Sequence, residues 1–161
     1  LSTQVFPERA QLEGWIRFLR AHAALTRALS ADLVAQHGLT LNEYEVLLHL
    51  SLAPEQALKR VDLADRVLLT ASGMTRLLDR LEDSGLVERA SCPTDRRVVY
   101  AKLTADGARR LREASRTHIA GVDELFLARF TDEEMATLTS LLGRLPGVQE
   151  SPGPTAGPSS G

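Results

Sequence analysis

Between residues 70 and 103 a two-faced helix, a glycine stop and a short hairpin follow one another without a linker. A helix stopped directly before a hairpin must pack its apolar face on the elements around it, which leaves the polar face outward. Thr70 suits an N-cap position. At about 100° per residue, Ser72, Thr75, Arg76 and Asp79 share an arc of roughly 100°. Met74, Leu77, Leu78 and Leu81 take the opposite side, and Gly85 ends the helix. Strands are expected over Leu86–Ala90 and Val98–Leu103. Ser91-Cys92-Pro93-Thr94-Asp95-Arg96-Arg97 forms a polar tip between them, where Pro93 favours a loop.

The flanking segments are helical. Trp15, Phe18, Leu19, His22, Leu25, Leu29 and Leu33 recur at three- and four-residue steps, predicting a helix over about 8–36 that stops at Gly38. Thr40-Leu41-Asn42-Glu43 has the form of a capping box and opens a second helix through Tyr44, Leu47, Leu48 and Leu50, ending before Pro54. A short helix over about 60–67 precedes the turn at Leu68 and Leu69. After the hairpin a long helix is expected over about 104–129. Thr131-Asp132-Glu133-Glu134, a second capping box, starts a last helix that ends at Pro146-Gly147. The chain reads as mainly α with a small β component: six helices and a two-stranded hairpin in one domain over 1–150, then a disordered tail over 151–161. The end helices carry apolar stripes wider than one small domain needs, and pairing of two chains would cover them.

The net charge of −2 argues against a nucleic-acid partner until it is divided along the chain. Residues 59–110 hold 11 Lys and Arg against 8 Asp and Glu, so the excess of positive charge sits on the middle module. No apolar stretch approaches the roughly 20 residues that span a bilayer. The N-terminus shows no basic segment followed by an apolar run, so a cytoplasmic location is expected. Gly-x-x-x-x-Gly-Lys, His-Glu-x-x-His and Gly-x-Ser-x-Gly are all missing from the sequence, so no catalytic role is expected. His22, His37, His49 and His118 are scattered singly and Cys92 is the one cysteine, so neither a metal site nor a cofactor is expected.

A short helix, a turn, a polar-faced helix and a basic-tipped hairpin together describe a winged helix-turn-helix. Arg76 can fork onto guanine O6 and N7 in a major groove. Arg96 or Arg97 suits a narrow minor groove, whose negative potential draws guanidinium groups. Asp95 would repel a phosphate but makes sense as a brace for a neighbouring arginine. A solvated surface helix, or a winged-helix scaffold that binds proteins, is the plainer alternative; Arg76, Arg96 and Arg97 argue against it.

The runs Leu63-Ala64-Asp65-Arg66-Val67, Thr75 to Arg89, Pro93-Thr94-Asp95-Arg96-Arg97 and Leu103-Thr104-Ala105-Asp106-Gly107 resemble the MarR family. The match is most specific at Asp95-x-Arg97 and at the following Leu-Thr-x-x-Gly. The resemblance implies a homodimer with interleaved end helices (about 8–36 and 104–146) and a DNA-binding module over about 55–104. It implies a transcription regulator, usually a repressor, that sets recognition helices in successive major grooves of a pseudo-palindromic operator. It also implies DNA contacts from Thr70, Ser72, Thr75, Arg76 and Arg80 and from Asp95, Arg96 and Arg97, with Asp95 bracing Arg97. Many members release DNA on binding a small phenolic or lipophilic acid, and Trp15, His22, Tyr44 and His49 are candidate pocket residues between the first two helices, with core or dimer-interface packing as the plainer reading. Two departures stand out: Leu68 occupies a turn position where such proteins often hold Gly, and the first helix lacks the cysteine of oxidation-sensing members. Cys92, beside arginines, is a second candidate for redox chemistry, with an inert surface thiol as the simpler reading.

Overall fold

The structure, a computed structural model, describes residues 9–67, 69–91 and 97–147. Its helices are α1 (Arg9–His37), α2 (Leu41–Leu52), α3 (Arg60–Arg66), α4 (Ala71–Asp83), α5 (Ala105–Leu125) and α6 (Asp132–Leu142). Its strands are β1 (Ala57–Lys59), β2 (Val87–Ser91) and β3 (Val99–Leu103). Leu68, Cys92, Asp95, Arg96 and the tail over 151–161 lie outside the described residues.

Two compact units divide at Val122 and Asp123. In the first, α2, α3 and α4 close over the sheet and the C-terminal half of α1. Leu33, Val46, Leu47, Leu50, Leu63, Met74 and Leu78 are completely buried. Each such side chain contributes about 1.5–3 kcal/mol of hydrophobic stabilisation. Boundaries follow local chemistry. Gly38 adopts φ 66°, a left-handed conformation that glycine accepts without steric cost and that ends α1. The Thr40 hydroxyl accepts from the Glu43 backbone N–H at 3.3 Å, and the Glu43 carboxylate accepts from Thr40 N at 2.8 Å, completing the capping box.

The sheet has three strands rather than the two the sequence led us to expect, in the order β1-β3-β2 and antiparallel throughout. β1 pairs Ala57 with Lys102, Leu58 with Ala101 and Lys59 with Tyr100. A single 3-10 turn over Pro54–Gln56 delivers it, with Glu55 and Gln56 both at positive φ (53° and 55°). Three residues are too few to show a twofold alternation. A tertiary partner, not local pattern, makes this strand.

The second unit contains the end of α5, a 3-10 turn over Leu127–Arg129, and α6. α5 stops at Leu125, four residues before its expected end. Phe126 at φ −129°, ψ −63° leaves helical geometry, and its ring meets Phe130 edge-on at 5.4 Å between centroids. Thr131 and Glu134 form the expected second capping box at the start of α6. Among the described residues of α6 none is buried.

Candidate nucleic-acid interface

α4 is held from its apolar side and from both ends. Met74, Leu77, Leu78 and Leu81 are all buried, as their spacing predicts. The Thr70 hydroxyl accepts from Gly73 N at 3.1 Å, and Leu69 N donates to Ala64 O at 2.9 Å, closing the turn that joins α3 to α4. No acidic residue lies in the first turn of α4. Its N-terminal end therefore keeps the partial positive charge of the helix dipole.

The outward face is unevenly committed. Arg76 is exposed and makes no hydrogen bond or ion pair with the described residues. Ser72 is exposed, its hydroxyl 3.3 Å from that of Thr70. Thr75 is half-buried: its hydroxyl donates to Ala71 O at 2.9 Å and accepts from Arg60 Nη1 at 2.6 Å. Asp79 is ion-paired to Arg89 of β2, whose Nε also reaches Glu82 at 3.0 Å. That bridge joins the recognition helix to the first strand of the hairpin. Arg80 donates from Nε to Glu43 at 2.9 Å, so part of its guanidinium serves the fold.

In the hairpin β2 and β3 pair from Val87–Leu103 to Ser91–Val99, and Arg97 is exposed at the end of the turn. Asp95, Arg96 and Cys92, the other tip residues singled out above, lie outside the described residues. Behind the wing, the Thr104 hydroxyl donates to Gly85 O at 2.7 Å and accepts from Gly107 N at 3.0 Å. This threonine ties the start of α5 to the stop of α4, which accounts for the Leu-Thr-x-x-Gly run.

The four candidate pocket residues do not converge. A cleft of about 640 Å³ lies between α1 and α2, and of the four only His22 lines it, with Thr26, Arg27, Asn42 and Glu45 among its neighbours. Trp15 is 56% exposed and stacks on Phe18 at 6.2 Å. Tyr44 is buried, its ring 4.6 Å from His118 and its hydroxyl 3.3 Å from that of Ser115. His49 is half-buried, and burial together with Arg66 lowers its pKa. Burial raises the pKa of Glu45 in the cleft wall. Arg27 and Glu45 escaped sequence reading because single charges on an amphipathic helix look like solvated surface. Among the described residues no group of three His, Cys, Asp or Glu can hold a metal ion, and no helix is long and apolar enough to cross a membrane.

A capped helix with a polar outward face, entered through a short helix and turn and braced by a β-wing, defines a winged helix-turn-helix module. The family model described as MarR family matches residues 37–98. The HTH-type transcriptional regulator MhqR of Bacillus subtilis is 33% identical over 112 residues, covering 70% of this chain and 75% of that protein. The homoprotocatechuate degradative operon repressor of Escherichia coli is 33% identical over 110 residues, covering 68% and 72%. The crystal structure of Sco3205, a MarR family transcriptional regulator from Streptomyces coelicolor in complex with DNA, superposes with a TM-score of 0.82. It is 26% identical and covers 88% of this chain and 89% of that one. This chain belongs to the MarR family of DNA-binding transcription regulators.

Proposed function

We propose that the protein is a repressor that binds a pseudo-palindromic operator as a homodimer, with α4 in the major groove and the wing in the adjoining minor groove. The observation that carries this reading is Arg76, an exposed guanidinium on the outward face of a helix whose other face is sealed in the core. Ser72, Thr75 and Arg76 are the recognition-helix contacts. Arg97 enters the minor groove, Asp95 braces it, and Arg96 contacts the backbone. Thr70 presents the helix start, and Arg80, held by Glu43, anchors the helix rather than reading a base.

Two apolar surfaces support the dimer, one on α1 and one on α6. Leu12, Trp15, Ile16, Phe18 and Leu19 on α1, and Leu141 on α6, are each at least two-fifths exposed. A second copy covers them, and the whole of 1–150 then acts as one functional domain. The cleft between α1 and α2 takes a small aromatic or lipophilic acid: Arg27 supplies a cation for its carboxylate, and binding there shifts α2 against the DNA-reading module. A repressor of an aromatic-degradation operon among the relatives supports this class of effector. The protein acts in the cytoplasm without cofactor or catalysis.

A fluorescence-anisotropy titration against a duplex selected by the protein from a random pool tests the reading. Affinity falls steeply with salt, as neutralised phosphates release counterions. Arg97→Ala weakens binding by about 1–3 kcal/mol with dimer mass and helicity unchanged, and Arg76→Ala relaxes base preference. If both variants bind like the wild type, the site assignment is wrong.

A further inference from the structure

We propose that Thr75 reads DNA through its methyl group and selects a thymine, with Arg60 as the residue that holds it in that orientation. The inference rests on the reading above, in which α4 lies in a major groove. A threonine hydroxyl has one proton and two lone pairs. In Thr75 the proton goes to the Ala71 carbonyl, one turn back, at 2.9 Å. One lone pair takes an N–H from Arg60 Nη1 at 2.6 Å. Both bonds draw the oxygen against the protein, toward α4's own preceding turn and the start of α3. Apart from one remaining lone pair, the group left to meet a base is the methyl.

Its neighbours sharpen the contrast. Ser72 offers a hydroxyl and Arg76 a guanidinium on the same outward arc, and both are exposed. Thr75 sits between these polar groups as an apolar spot. Among the four bases only thymine shows an apolar group in the major groove, its C5 methyl. To donate its hydroxyl to a base, Thr75 would have to rotate and surrender the bond to Ala71 O. The oxygen keeps one uncommitted lone pair, on an atom already drawn toward Arg60 and the preceding turn. Arg60 is half-buried beside it and restrains that rotation. Arg60 was not legible as a recognition element because it lies 15 residues away on a different helix.

The test uses the full chain and a duplex that the wild type selects from a random pool, with each thymine replaced in turn by deoxyuridine, which lacks only the methyl. For wild type, one thymine per half-site shows a penalty of about fourfold in affinity, the factor expected for one buried methyl group. Thr75→Val keeps that penalty, Thr75→Ser removes it, and Arg60→Met reduces it while circular dichroism remains that of the folded protein. Identical uracil profiles for wild type and Thr75→Ser overturn the proposal, as does a Thr75→Val protein that loses thymine preference while Thr75→Ser keeps it. In either case salt-sensitive binding by all variants leaves the groove assignment of α4 standing. A wild-type protein that binds no duplex at low salt removes that assignment itself. Should Arg60→Met not fold, the Val and Ser variants decide the matter alone.

Discussion

Arg80 and Glu43 join the recognition helix to the start of α2: Arg80 Nε lies 2.9 Å from Glu43 Oε1. The carboxylate side is the buried one, with 8% of the Glu43 side chain exposed against 58% of Arg80. The other carboxylate oxygen takes hydrogen bonds from Thr40 N at 2.8 Å and from the Thr40 hydroxyl at 2.9 Å. A single side chain therefore caps one helix and anchors another. Glu43→Ala loses a cap, about 1 kcal/mol, and a charge-assisted bond discounted for the exposure of Arg80. Urea unfolding should show a loss of about 2 kcal/mol. Arg80→Ala should cost about 1 kcal/mol, and the double variant less than the sum, because the pair is shared. Strict additivity would mean that the pair is not coupled.

Gly107 stands where no other residue fits. A Cβ there would lie 2.1 Å from the Leu86 carbonyl oxygen and 2.8 Å from Leu103 Cδ1. The carbonyl belongs to the backbone joining α4 to β2 and accepts from Thr104 N at 3.2 Å, so it cannot move without disturbing the wing. Gly121 gives the contrast: its Cβ would meet Leu29 Cδ2 at 2.8 Å, the end of a flexible side chain. Gly107→Ala is expected to destabilise by about 3 kcal/mol, and Gly121→Ala by about 1 kcal/mol or less, since only the second clash can be relieved by a rotamer change. Thermal melts of the two variants side by side check the order; equal losses would contradict it.

Local chemistry was legible wherever it is set by neighbours in sequence. Thr40 with Glu43, Thr131 with Glu134, Thr70 at the head of α4 and the left-handed Gly38 and Gly85 all do what their spacing implies. The division of α4 into a buried Met74-Leu77-Leu78-Leu81 face and a polar face follows from helical period alone. What escaped depends on partners far along the chain. β1 exists because β3 offers it an edge, and Arg60 matters because the fold sets it beside Thr75. Arg80, named from the resemblance as a DNA contact, donates to Glu43, 37 residues away in sequence. Of the candidate pocket set, only His22 lines the cleft between α1 and α2. Trp15, Tyr44 and His49 share an aromatic or imidazole character that suits a ligand, but character does not say which face of the helix it occupies.

Trp15 provides a direct test of chain pairing. It is the only tryptophan in the sequence and is 56% exposed in the single chain. With Leu12, Ile16, Phe18 and Leu19 nearby on α1, it belongs to an apolar surface that a second copy would remove from water. Its emission should be blue-shifted at micromolar concentration and move to longer wavelength on dilution, in step with a halving of mass by light scattering. Leu19→Asp should give the monomer spectrum at all concentrations. Emission that stays red while the mass is that of two chains would place the dimer contact elsewhere.

His118 ties stability to pH. Its Nδ1 is buried and has no hydrogen-bond partner among the described residues, while its ring packs 4.6 Å from that of Tyr44. Burial pulls its pKa below the ordinary histidine value of 6.5, because a charged ring there lacks the water that would solvate it. His49 shifts the same way, through burial and the nearby Arg66. A histidine with a depressed folded-state pKa leaves the unfolded chain binding more protons as pH drops, so stability is full above 6.5 and declines below it. The slope has a ceiling of about 1.4 kcal/mol per pH unit for each histidine. Glu45, whose pKa burial raises above 4.5, acts in the opposite sense and at lower pH. Urea midpoints measured between pH 7.5 and 5.5 should therefore fall for the wild type. His118→Phe, which keeps a ring against Tyr44 but cannot titrate, should show a shallower fall, and adding His49→Gln should flatten it further. A wild-type profile already flat over that range would show that neither imidazole resists protonation in the folded chain.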